Sequence, residues 1–254
     1  MNKITNYHIG KLEYILTITG SVASIISVLI LLFHDKSKAI FALIFVILFL
    51  TILIIRIFIL IKNYFKLNYP NEIIKISTSY KYITNNDGTM ITYEVYKTIQ
   101  SKTIMLNEHE HRYDWSGTEE PVIESDLQEI MEKIKGGKNK YGKVKLRFKE
   151  PLLYNEIGIV HIKMICNDSN KKSRPYLESR VEEPTKMVQF QTILKHKNNE
   201  YKLPARLLKR KIHSEKPEEY QNIGSVEFDI YTKSYSHTLL TPEIGYFYKL
   251  EWDK

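Results

Sequence analysis

Ten consecutive residues, Glu108-His109-Glu110-His111-Arg112-Tyr113-Asp114-Trp115-Ser116-Gly117, hold the densest set of chemically capable side chains in the sequence. On a strand, His109 and His111 would project from one side, as two metal ligands might, because alternate residues share a face. No third ligand is identifiable, so the expectation is ordinary surface histidines and no bound metal. Arg112 with Tyr113 and Trp115 offers other chemistry: a guanidinium can clamp a phosphate while aromatic rings stack a base. The same residues equally suit a loop that packs its Trp on the end of a barrel. A second cluster is Arg174-Pro175-Tyr176 with Arg180, where Tyr176 and Arg180 are four apart and share a strand face. A third is Arg206, Lys209, Arg210 and Lys211, which reads as a solvated face or a contact with anionic lipid. The candidate ligand-binding residues are therefore Arg112, Tyr113, Trp115, Tyr176, Arg180, Arg206 and Arg210.

Nothing in the sequence points to catalysis. There is no Gly-rich phosphate loop, no H-E-x-x-H, no G-x-S-x-G and no cysteine pair. Cys166 is the single cysteine, which excludes a disulfide framework and a Cys-based zinc site. The expectation is a non-enzymatic protein with no catalytic residue and no cofactor.

The elements that would carry these clusters divide the chain sharply. Tyr14 to Phe33 is a run of 20 residues without a charge, and Ala39 to Ile55 is another 17, continuing to Ile61 past Arg56. About 20 apolar residues cross a bilayer core as a helix. Two spans, at about 12–33 and 39–61, are predicted, joined by a short loop into an antiparallel hairpin. A signal peptide fits the first run poorly, because the run is too long and a second follows at once. The flanks carry Lys3, Lys11, Lys62 and Lys66, and the positive-inside rule places them, and both termini, in the cytoplasm.

Thr17, Gly20, Ser24 and Ser27 recur at 3, 4 and 3 residues and so share one helix face, small enough for close backbone approach. That face would contact either the second span or another protomer. Glu13 and Arg56 are charges at similar depth near the cytoplasmic side, suited to an anchoring pair or to a role in gating.

Charge follows the same division. The 254 residues carry a formal net charge of +8. Residues 1–70 hold seven Lys/Arg against two Asp/Glu, or +5, which leaves only +3 for 30 basic and 27 acidic residues in the rest. A nucleic-acid footprint would concentrate the excess in the folded domain, so no nucleic-acid polymer is expected as a partner.

Residues 68–72, around Pro70, read as a linker, and 73–254 as a β-rich cytosolic domain. Asn85-Asn86-Asp87-Gly88 is a hairpin turn. Lys143 to Lys149 alternates strictly, one face apolar and one basic. Ser125 with Leu127, Ile130, Met131 and Ile134 predicts one short helix, ended by Gly136-Gly137. About eight strands and that helix make a mainly-β barrel or two-sheet sandwich.

Two N-terminal spans, the Val181-Glu182-Glu183-Pro184-Thr185-Lys186 run and the closing Tyr246-Phe247-Tyr248-Lys249-Leu250-Glu251-Trp252 together resemble the two-transmembrane β-barrel effectors of bacterial antiphage signalling, of the CBASS or Panoptes type. The resemblance implies a cytosolic β domain that binds a cyclic di- or oligonucleotide. It also implies spans that assemble as a homo-oligomer in the bacterial inner membrane and disrupt it. The competing expectation is a membrane-anchored β domain that recruits a protein partner and forms no pore.

Overall fold

The computed structural model describes residues 36–69, 72–136, 141–198, 200–212 and 220–253, together with Gly20, Ser24 and Ser27. The chain separates into two compact units, 1–64 and 65–254.

In the first unit the prominent element is α1 (Lys36–Asn68). Most of its Ile, Leu and Phe side chains are exposed, as expected of a helix whose solvent is lipid, while Phe49, Leu53 and Ile57, on one face, are half-buried. Among the described residues, 43–68 is the one helical stretch long and apolar enough to cross a membrane. It covers the second predicted span and continues past Ile61 to Asn68, because no Pro or Gly interrupts the chain before Pro70. Tyr69 N–H closes the last turn on Phe65 O at 2.8 Å. The first predicted span lies outside the described residues except for Gly20, Ser24 and Ser27, which are helical and exposed. Ser24 Oγ donates to Gly20 O at 2.9 Å, an i to i−4 bond that satisfies the hydroxyl within its own helix. Thr17 and Glu13 lie outside the described residues; Arg56 is exposed on α1.

Among its described residues the second unit holds thirteen strands, not about eight: β1 (Ile73–Thr84), β2 (Met90–Ser101), β3 (Met105–Tyr113), β4 (Val122–Glu124), β5 (Glu129–Ile134), β6 (Gly142–Leu153), β7 (Ile157–Asn167), β8 (Tyr176–Val181), β9 (Thr185–Leu194), β10 (Ala205–Lys211), β11 (Gln221–Val226), β12 (Ser234–Leu240) and β13 (Tyr246–Glu251). They form three sheets, ordered β12-β9-β1-β2-β7-β4, β11-β10-β13-β8 and β3-β6-β5. The inner faces meet in one core. The largest sheet contributes Ile91, Ile99, Ile162 and Phe190, the smallest Val144 and Leu146, and the third Leu177 and Leu250, all nearly or fully buried.

The β1–β2 hairpin turns through Asn85–Gly88 as predicted, with Gly88 at φ 73°. A Cβ there would also come within 3.1 Å of the His196 ring. Gly88→Ala is therefore expected to destabilise the fold by about 1 kcal/mol, measured as a shift in denaturation midpoint at unchanged slope. A neutral result would mean that the turn relaxes without strain.

The alternation of β6 is realised. Val144 and Leu146 are buried, while Lys143, Lys145 and Arg147 turn outward onto Glu110, Glu108 and Glu129 of the flanking strands.

The predicted short helix does not form. Gln128 N–H bonds Ser125 Oγ at 3.1 Å, so Ser125 closes a turn, and Glu129–Ile134 then pairs with β6 as β5. The register shifts between Ile130 and Glu132, leaving Met131 as a bulge, and Met131 and Ile134 stay exposed. A three-turn helix is marginal by itself. Here it loses to a ladder that satisfies the open edge of β6 and sets Glu129 and Glu132 opposite Arg147 and Lys145. The undercounted strands have a related cause. The β-rich stretch that follows the Asn85–Gly88 turn is broken at Ser101-Lys102, where Ser101 N–H bonds Glu156 O at 2.9 Å and Lys102 N–H bonds Glu72 O at 2.8 Å. Long-range partners of this kind are invisible to local periodicity.

Candidate functional site

The inner face of the largest sheet is mostly apolar, with Thr84 and Thr192 buried at one end and charged side chains at the other. Along β2 the inward positions are Ile91, Tyr93, Val95, Lys97 and Ile99. Lys97 thus takes a core position on a strand paired on both sides, opposite Thr78 of β1 and Val160 of β7. On the facing sheet, β3 sends His109, His111 and Tyr113 inward, while Glu110 and Arg112 turn out. These two faces are held apart by a cavity of about 660 Å³. Its third wall is β8.

Both β3 and β8 are edge strands of their sheets. The cavity is therefore bordered by two strand edges that have no further strand partner among the described residues, besides the face of β1 and β2.

One end of the cavity gathers basic side chains around a carboxylate. Lys75 of β1 and Glu183, in the β8–β9 connection, pair at 3.8 Å. Lys97 stands beside them, with His109 and His111 across the gap. His111 is 4% exposed, and its Nδ1 and the Nε2 of His109 have no hydrogen-bond partner among the described residues. Burial, reinforced by the charges of Lys97 and Lys75, holds both imidazoles well below their ordinary range, so they are neutral at pH 7. Burial also pushes Lys97 down to about 7; Lys75 adds to that effect and Glu183 opposes it. The surface that Lys97 and Tyr93 leave exposed is cavity wall. The expectation of surface histidines is thus corrected. The face of β3 that carries them is covered by the larger sheet across the cavity.

The other end is aromatic. Tyr93, Tyr176 and Trp115 line it with Arg180. Burial raises the Tyr93 and Tyr176 hydroxyls, which stay protonated and able to donate. Trp115 donates its indole N–H to Glu119 O at 2.7 Å and covers Gly117, so it also packs its own loop. Arg180 pairs with Glu182 at 2.6 Å and lies 5.6 Å from the Phe247 ring centre. The hydroxyl of Tyr220 bonds Glu178, and Lys249 sits 5.1 Å over the Tyr176 ring.

The structure therefore brings Tyr113, Trp115, Tyr176 and Arg180 to one cavity and separates the remaining candidates. Arg112 reaches the wall, but its guanidinium is held by Glu110 at 3.4 Å on the exposed face. Arg206 pairs with Glu251 at 2.9 Å outside the cavity. Arg210, on β10 two strands from β8, stacks on Phe247 at 4.5 Å and on Tyr220 at 4.9 Å. Lys75, Lys97 and His111 were missed as site residues. The signal for Lys97 was present in the sequence, as a lysine in phase with Ile91, Tyr93, Val95 and Ile99. Among the described residues, no three His, Cys, Asp or Glu side chains are grouped to hold a metal ion.

No protein-family profile matches the chain, and no curated protein matches it. Among solved structures, an M1 zinc metallopeptidase from Deinococcus radiodurans aligns over 71% of this chain and 42% of its own, at 9% identity and a TM-score of 0.35. A yeast LTA4 hydrolase in complex with bestatin aligns over 72% of this chain and 29% of its own, at 8% identity and a TM-score of 0.37. The chain spans less than half the length of either protein, and a likeness this low carries no argument about fold or activity.

Proposed function

We propose that this chain is a membrane-anchored antiphage effector whose β domain senses a cyclic di- or oligonucleotide. Its two spans lie in the bacterial inner membrane with both termini cytoplasmic, and assemble as a homo-oligomer that disrupts the bilayer. The observation that carries this reading is the cavity: about 660 Å³, lined by lysines and histidines at one end and aromatic rings at the other, in a chain that also bears a lipid-compatible helix. A molecule with charged phosphates and flat bases matches both ends. Ligand would act by preferring one assembly state of the helices, since only differential affinity can shift such an equilibrium.

Calorimetry on the detergent-solubilised full chain, with a panel of cyclic di- and trinucleotides, tests the reading. Binding of at least one member at micromolar concentration is expected. Tyr176→Ala should weaken that binding roughly tenfold or more, because stacking a base on an aromatic ring is worth about 1–3 kcal/mol. Silence from every member sinks the proposal.

One observation favours recruitment of a protein partner instead. The edges of β3 and β8 could accept an extended peptide strand, through backbone hydrogen bonds. On that reading the membrane potential stays intact on overexpression, and a pull-down recovers a specific protein.

A further inference from the structure

We propose that Lys97, His109 and His111 form a subsite for a phosphate group of the ligand, deepening the reading of this cavity as a ligand site. Each of the three occupies an inward position where an apolar residue would pack, on two different sheets that face one another. Among the described residues, His109 Nε2 and His111 Nδ1 are buried without a hydrogen-bond partner, and Lys97 lines the same cavity. A buried polar group without a partner is costly, so two such imidazoles beside a lysine at one cavity wall point to a group that completes them.

The chemistry selects an oxyanion. A metal cation would meet two lysines and only two imidazoles. A peptide carbonyl offers one acceptor. A phosphate offers several oxygens around one centre, enough for the ammonium and an N–H from each ring.

The other charges facing this corner are Lys75 from β1 and Glu183 from the β8–β9 connection, and they engage each other. Lys97 is thus the charge left for the ligand. An anion in this corner favours the protonated forms of Lys97 and both histidines, so binding takes up protons. For one proton, affinity falls about tenfold for each pH unit above the Lys97 midpoint, which lies at about 7.

The test is histidine-selective carbon-13 NMR on the full chain in detergent micelles. It is titrated with inorganic phosphate, and with sulfate for the pH dependence because sulfate stays doubly charged throughout. The His109 and His111 resonances are expected to move with either anion. Sulfate affinity should drop about tenfold from about pH 7.5 to about pH 8.5. Lys97→Met should weaken both anions at least tenfold, with a thermal melt reporting that the variant is folded. Resonances that stay still at millimolar anion, or a Lys97→Met chain that binds as the parent does, overturn the subsite. The two proposals fail separately. Phosphate binding without response to any cyclic nucleotide removes the effector reading and leaves the subsite. A cyclic nucleotide that binds Lys97→Met and the parent equally removes the subsite and leaves the effector reading.

Discussion

Lys97→Met is expected to make the protein more stable. In the ligand-free chain the ammonium sits on the inner face of a central strand, near Lys75, with burial as the main force against its charge. Met has a similar length and no charge to desolvate. The gain should be on the order of 2 kcal/mol at neutral pH, allowing for water in the cavity, and each kcal/mol moves the midpoint of a domain this size by about 2–4 °C. The pH dependence has a definite sign. In the folded state the group titrates at about 7, against an ordinary value of 10.5. Between those two values the unfolded chain holds the extra proton, so the parent protein gains stability as pH rises through that window. Below it both states are protonated and the cost is constant. Lys97→Met removes this slope. Chemical denaturation from neutral to alkaline pH reads both effects. A Met variant that is less stable, or a slope that survives, would show that Lys97 is already compensated within the fold. A residue that weakens the fold where it would serve binding is the usual signature of a site held ready for its ligand.

Gly20→Leu is expected to reduce toxicity on overexpression about tenfold while leaving membrane insertion unchanged. Gly20 is helical and exposed, and a Cβ at that position meets nothing within 4 Å among the described residues. Leucine raises both helix propensity and hydropathy relative to glycine, so the single chain loses nothing. The face that Gly20 shares with Ser24 and Ser27 is where helix backbones could approach closely, and association of helices in a membrane rests on such packing. A bulky side chain there keeps neighbouring backbones apart. Viable counts and a potential-sensitive dye measure the consequence, with alkaline extraction of membranes as the control for insertion. Full toxicity in the variant would take this face out of the assembly mechanism.

What could be read from the sequence was whatever is encoded locally. The Asn85–Gly88 turn needs only a residue that tolerates positive φ. The second span needs only length and apolarity, and β6 announces both its faces within seven residues. His109 and His111 were correctly expected on one side of a strand, but not that another sheet would roof them, since no local pattern reports which sheet lies opposite. The segment around Ser125 shows the converse failure, a local helical pattern overruled by the open edge of β6. The site divides the same way. Tyr176 and Arg180 announce their shared face by spacing, whereas their meeting with Trp115 depends on which edges of separate sheets are left unpaired. Lys97 could have been found, had the interruption of an apolar alternation been given the weight of a motif.

The pairing of β1 has a consequence for how the chain is made. β1 follows α1 directly and forms its hairpin with β2 at once, but its other neighbour is β9, aligned in parallel from Lys75↔Thr185 to Thr84↔Leu194. That strand leaves the ribosome about a hundred residues later, several seconds at ordinary synthesis rates. Throughout that interval the helix is already in reach of lipid while an edge of the largest sheet stands open, and pairings between distant segments form slowly. The membrane segment of each new chain is thus delivered before the domain proposed to restrain or release it exists. During synthesis the protein depends on its cell to keep the unfinished β1 edge from meeting another chain.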